Sequence, residues 1–188
     1  MMASVTEGSL NLVDTHAHVA FPAFDHDRTA MLSRACIAGV RRVVCPGVDV
    51  ATSTAAVDLA GKVPGVGAAV GFHPLDIPAQ GVSTSDLTPL EELAINEKVV
   101  AVGEVGLDYS RGMDSSERQV AAFRDQVNMA RWFELPVIVH NREADADVLK
   151  VLEAEHYDHV ILHCFTGDEG LSRGAIDHGC LLYTSPSP

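Results

Sequence analysis

Two histidines separated by one residue, His16 and His18 in the stretch VDTHAH, close the first strand-like apolar run of the chain. Three later runs end on side chains of similar chemistry: VGEVG on Glu104, LPVIVH on His140 and HVILH on His163. A single histidine is most often a hydrogen-bonded core or surface residue, so the signal lies in the recurrence at the ends of separate runs. Neutral imidazole nitrogen is a good ligand for Zn2+ and its neighbours, and a carboxylate can bridge two ions. His16 and His18 are two residues apart, so on an extended strand both project to one side while Ala17 projects to the other. If these groups meet, they can hold two divalent ions, lower the pKa of a bound water and polarise an electrophile. The chemistry implied is metal-assisted hydrolysis.

Gathering residues so far apart requires a fold in which many strand ends share one face. Strand-like runs fall at 10–16, 41–47, 65–74, 98–106, 135–141 and 159–165, and CLLY (180–183) can open a seventh. Helical stretches lie between them: about 27–38 stopped by Gly39, 50–61 begun by Asp49, 87–96, a long one to about 134 capped by Ser115 or Ser116, 144–156, and 168–178 ended by Gly179. Six βα units in series imply an α/β fold with a parallel sheet, and the continuous apolar strand cores imply burial on both faces. Periodicity leaves both a (β/α)8 barrel and a doubly wound open sheet possible. In a barrel, the C-terminal strand ends form a ring where active sites sit.

The 188-residue chain is of single-domain size, 47% hydrophobic and 21% charged. No apolar run is long enough to cross a membrane, and the first residues lack a basic region followed by an apolar one, so a cytoplasmic location is expected. Net charge is −13 with only 13 basic residues, which argues against nucleic-acid binding through a basic surface of the protein's own. Positive charge for a phosphate-bearing substrate must come from elsewhere, and bound cations would supply it. Cys36, Cys45, Cys164 and Cys180 show no CxxC spacing and read as buried apolar residues, with Cys164 the closest to a site.

The segments VDTHAHV (13–19), GFHP (71–74), VGEVGLDY (102–109), LPVIVHNRE (135–143) and ILHCFTG (161–167) together resemble the TatD family of metal-dependent deoxyribonucleases, within the amidohydrolase-like barrels. The resemblance covers residues 10–180 and implies a TIM-type (β/α)8 barrel, incomplete in this sequence, with about six βα units and the start of strand seven. It implies that His16 and His18 bind one metal, that Glu104 bridges two, and that His140 and His163 bind the second. The ions implied are Mg2+, Zn2+ or Mn2+. The substrate implied is DNA, cleaved 3′–5′ on single strands, with RNA or aminoacyl-tRNA esters as alternatives.

Other residues carry separate readings. His73 in GFHP is a candidate to line the pocket and contact a phosphate, against a role in loop packing beside Pro74. Arg142 is a candidate phosphate clamp, since its planar fork suits that geometry, against a surface pair with Glu143. Asp108 can orient a ligand or form a turn. Asp14 reads as structural, His26, His156, His159 and His178 as surface residues, and Glu143, Asp145 and Asp147 as a helix N-terminal turn. Residues 1–9 read as a flexible N-terminus and 181–188 as an atypical tail. The resemblance implies strands seven and eight and an aspartate after them that this length of chain lacks; the missing strands predict exposed sheet edges and poor solubility, and the missing aspartate impaired hydrolysis. A hydrolase of other esters or amides and an inactive metal-binding fragment are the competing readings. Oligomeric state cannot be read from the sequence.

Overall fold

The computed structural model describes residues 11–184. Seven strands form one parallel sheet in sequential order: β1 Leu12–Asp14, β2 Val40–Pro46, β3 Val66–Val70, β4 Val99–Asp108, β5 Val137–Arg142, β6 Val160–Leu162 and β7 Leu181–Leu182. Six helices connect them: α1 Arg28–Ile37, α2 Val50–Lys62, α3 Thr84–Ala94, α4 Ser116–Trp132, α5 Asp145–Glu155 and α6 Glu169–Asp177. The sheet is curled. Leu12, Val13 and Asp14 of β1 line one crevice together with His163, Cys164 and Tyr183 from the other end of the sheet. This is a partial α/β barrel with β1 and β7 at its edges, and the open-sheet alternative falls. Leu12, Val13, Leu181 and Tyr183 along these edges are exposed.

Strand parity separates two cores. Val43 and Cys45 of β2, Ala68 and Val70 of β3, Val137 and Val139 of β5, and Val160 and Leu162 of β6 pack with buried helix residues such as Val57, Phe123, Val148 and Leu171. The residues between them, Val44, Ala69, Ala101, Ile138 and Ile161, form a second, smaller cluster on the other face of the sheet. Because side chains alternate along a strand, His140 shares the face of Ile138, and His163 that of Ile161.

Local chemistry explains most helix boundaries. Asp49 begins α2 through a reciprocal capping box with Thr52. Ser83 and Asp86 form a second box that starts α3 at Thr84, earlier than the expected 87. Gly39, at φ +103°, follows α1 in the left-handed region that glycine enters freely. Ser115 precedes α4 but makes no capping bond to its backbone; its hydroxyl accepts instead from Gln119 Nε2 at 2.8 Å. Three strands are shorter than expected. β1 stops at Asp14, β3 at Val70 and β6 at Leu162, so His16, His18, His73 and His163 sit on the segments that leave the sheet. Among the described residues, no helix is long and apolar enough to cross a membrane. Residues 1–9 and the last four residues of the 181–188 tail lie outside the described residues; Leu181–Leu182 pair with β6 as the seventh strand that CLLY was expected to open.

Candidate metal centre

Glu104 is the hub. It lies in β4 where the register with β5 shifts, between Val102 and Val105, and only 3% of its surface is exposed. Five histidines surround its carboxylate. Oε2 faces His16 Nε2 at 3.1 Å and His18 Nε2 at 3.2 Å. Oε1 faces His163 Nε2 at 2.6 Å, His140 Nδ1 at 2.9 Å and His73 Nε2 at 3.8 Å. The residues singled out at the strand ends therefore do meet. Metal-sized triangles form from His16, Glu104 and His163 and from His73, Glu104 and His140.

Three of the rings, those of His18, His140 and His73, are held from behind by a hydrogen bond at the outer nitrogen. Asp14 is exposed, and its Oδ1 accepts the His16 backbone N–H at 3.1 Å, an Asx turn that carries the chain from β1 to the first histidine. The extended strand through His16 and His18 that the sequence suggested is absent; this turn and the following loop bring their Nε2 atoms within 3.2 Å. The His16 and His163 rings stack at 3.9 Å. His18 donates from Nδ1 to the Pro46 carbonyl at 3.2 Å, which leaves the Nε2 lone pair aimed at the carboxylate. Arg28 holds the loop after His18 by donating to the carbonyls of Val19, Ala20 and Phe21. His140 sits between two carboxylates, with Nε2 3.0 Å from Asp108 Oδ2. Asp108 is both a turn residue and an orienting one, since its Oδ1 accepts the N–H and O–H of Ser110 at 2.9 and 2.5 Å. His73 Nδ1 accepts the Leu75 N–H at 3.2 Å, so the neutral ring carries its proton on Nε2 and presents a donor to the centre.

Burial raises the Glu104 pKa on its own, but hydrogen bonds led by those from His140, His16 and His163 outweigh it and hold the carboxyl far below the usual range. Burial dominates at His73, whose pKa falls to about 4, and at His16, also lowered despite Glu104 beside it. At His140 burial is overcome by Glu104 and Asp108, and the pKa rises.

The donor set fits divalent cations. At His18 a lone pair points at an anion at contact distance, an arrangement that is favourable once a cation lies between them. His140 carries protons toward two carboxylates, and a cation displacing the Nδ1 proton would leave the same lone pair. Nδ1 of His16 is a buried ring nitrogen with no hydrogen-bond partner among the described residues.

Against known proteins, a family model described as TatD related DNase matches residues 13–186. The chain belongs to the TatD family. A Bacillus subtilis protein named as an uncharacterised metal-dependent hydrolase, YabD, is 39% identical over 86% of the chain and 64% of its own length. The 3′-5′ ssDNA/RNA exonuclease TatD of Cronobacter turicensis is 34% identical over 91% of the chain and 65% of its own length. The chain thus spans just under two thirds of these TatD relatives. The crystal structure of YjjV, a TatD homologue from Escherichia coli, superposes with a TM-score of 0.84 at 30% identity, over 93% of this chain and 68% of that one.

The remaining candidates lie outside the cluster. Arg142 is exposed, and among the described residues no hydrogen bond or ion pair links its guanidinium to the cluster. Asp145 and Asp147 lie in the first turn of α5, but they also tie loops together: Asp145 accepts from Asn141 Nδ2 and the Asp168 N–H, and Asp147 from the Tyr109 hydroxyl. Cys45 and Cys180 are buried as expected, whereas Cys36 and Cys164 are exposed. Cys36 lies on α1, no residue of which is buried, and Cys164 lies on the turn leaving β6 at φ +47°. His26, His156 and His159 are exposed, and His178 is half-buried.

Proposed function

We propose that this TatD-family chain is a metal-dependent hydrolase that cleaves phosphodiester bonds of single-stranded DNA or RNA from the 3′ end. The observation that carries the reading is the division of donors across Glu104: His16 and His18 face one oxygen, His140 and His163 the other. Two divalent ions, Mg2+, Zn2+ or Mn2+, would be held by Glu104 with His16 and His18 for one and His140 and His163 for the other, while His73 stands further from Oε1, at 3.8 Å. Bound there, the ions supply a water-derived nucleophile near neutral pH and neutralise phosphate oxygens. The chain's own residues orient and donate. Asp108 keeps the His140 proton on Nε2, which frees Nδ1 as a ligand. His73, neutral at pH 7 with its proton on Nε2, donates to a phosphate oxygen of the substrate. Arg142, exposed at the end of β5, meets the nucleic-acid backbone outside the reacting group.

The relative named a 3′-5′ ssDNA/RNA exonuclease supports the substrate class. The net charge of −13 would repel a polyanion, so on this reading the bound cations would have to neutralise the substrate's phosphates. The test uses 5′-labelled single-stranded DNA and RNA with Mn2+ or Mg2+, and with EDTA. A ladder shortening from the 3′ end only with metal is expected. Cleavage of small carboxylic esters or amides instead of oligonucleotides would replace this reading with an ester or amide hydrolase, and tight Mn2+ binding without turnover would leave a metal-binding protein.

A further inference from the structure

Helix α4 carries two glutamines, Gln119 and Gln126, that are 1% and 0% exposed. They are seven residues apart, about two helical turns, and so share one face of the helix. Each grips both backbone groups of one residue. Gln126 Oε1 accepts the Phe72 N–H at 2.6 Å, while its Nε2 donates to the Phe72 carbonyl at 3.2 Å and to the Ala122 carbonyl at 3.2 Å. Gln119 Oε1 accepts the Asp108 N–H at 2.8 Å, while its Nε2 donates to the Asp108 carbonyl at 2.9 Å and to Ser115 Oγ at 2.8 Å. The sheet explains the need. The β3–β4 ladder ends at Val70↔Val102, and Phe72 and Asp108 lie beyond it. Their buried backbone groups would go unpaired without the amides, which take the place of a neighbouring strand.

A pair of saturated amides could serve packing alone. What singles these two out is the residue each one reaches. Phe72 directly precedes His73, which approaches one side of Glu104. Asp108 holds His140 Nε2 at 3.0 Å. We propose that Gln126 and Gln119 are positioning residues for the centre, Gln126 aiming His73 and Gln119 aiming His140 through Asp108. The inference deepens the metal-hydrolase reading and rests on it for its effect on metal affinity; the aiming of the two rings stands apart from that reading.

The test compares Gln119→Met and Gln126→Met, each of similar volume but unable to grip either backbone group, with Gln119→Glu and Gln126→Glu, which keep an acceptor and carry the comparison if a Met variant does not fold. Imidazole 15N spectra of the metal-free protein read the two rings, calorimetry with Mn2+ reads affinity, and thermal melts read stability. Changes at Gln126 are expected to move the His73 signals, leave those of His140 in place and keep Mn2+ affinity within twofold. Changes at Gln119 are expected to move the His140 signals, leave those of His73 in place and weaken Mn2+ about tenfold or more, as loss of an outer-shell partner does. The proposal is overturned if either variant moves both rings or neither, or if Mn2+ affinity falls equally in both in step with the melting temperature. A wild-type protein that binds no Mn2+ would sink the metal-hydrolase reading, while the ring signals would still decide the positioning roles.

Discussion

Asp108→Asn swaps one carboxylate oxygen for an amide nitrogen, and the hydrogen bonds around Asp108 dictate where that nitrogen goes. Asp108 Oδ1 is committed to two donors, the N–H and O–H of Ser110, at 2.9 and 2.5 Å. An amide in this place keeps its oxygen on those donors and so turns its NH2 toward His140 Nε2, 3.0 Å away. That nitrogen must then accept, which moves the ring proton to Nδ1, the atom 2.9 Å from Glu104 Oε1. A metal needs the lone pair at Nδ1, so binding requires either the amide to give up Ser110 or the ring to leave its partner. Losing one or two such hydrogen bonds costs about 1.5–3 kcal/mol. At 1.4 kcal/mol per tenfold, Mn2+ affinity should drop roughly 10- to 100-fold, the range typical of outer-shell partners. Titration calorimetry with Mn2+ gives the affinity, and 15N spectra of the metal-loaded protein give the His140 tautomer. An affinity within twofold of wild type, with the His140 proton still on Nε2, would refute the argument.

Glu104→Gln removes the charge that faces all five histidines; phosphodiester hydrolysis should fall by about a thousandfold or more, equivalent to ~4 kcal/mol of transition-state stabilisation, as read by single-turnover assays at saturating Mn2+. His73→Ala should lower the hydrolysis rate by roughly 10- to 1000-fold while leaving Mn2+ affinity unchanged, because the ring presents a donor and no lone pair; a parallel loss of affinity would make His73 a ligand. Gly106→Ala should destabilise the fold by about 3 kcal/mol or more, since φ is +129° and a Cβ would collide with the His140 carbonyl oxygen; chemical denaturation measures it, and a neutral result would mean that β5 can shift. Arg142→Ala should weaken oligonucleotide binding and lower its salt dependence by about 0.7 in log–log slope if one phosphate contact is lost, with no effect on cleavage of a small phosphodiester; an unchanged slope would remove Arg142 from the substrate path.

The centre was legible because the sheet's period of two makes a strand end predictive. Once LPVIVH and HVILH are read as parallel strands, His140 must share the face of Ile138, and His163 that of Ile161, and a curled sheet turns those positions inward. The precise ends of strands were not legible. His73 stands three residues past β3, and His16 and His18 stand past β1, because turns held by Leu75 N–H and Asp14 Oδ1 carry the chain onward where apolar runs suggested continued strand. α3 begins early because a Ser83–Asp86 box is a local bond that an apolar pattern does not register.

What the sequence concealed were contacts whose meaning depends on position in three dimensions. Gln119 and Gln126 read as ordinary helix residues because their partners are the backbones of Asp108 and Phe72, and backbone groups have no sequence signature. Arg28 is hidden for the same reason: it stands ten residues after His18 and grips three carbonyls. The histidines, by contrast, advertise themselves because an imidazole has few reasons to end a buried strand. Donor chemistry is therefore carried by residue type, and its orientation by hydrogen bonds that involve the main chain. Five rings meet on one carboxylate with the Nδ1 proton of His18 turned away to Pro46 and the Nε2 proton of His140 turned away to Asp108. Without the Pro46 carbonyl, His18 could place its proton on Nε2 and satisfy Glu104 as an ordinary donor; without Asp108, nothing would hold the His140 proton on Nε2 once a cation displaced the one on Nδ1. The outward acceptors fit this cluster to a cation better than to a closed network of hydrogen bonds.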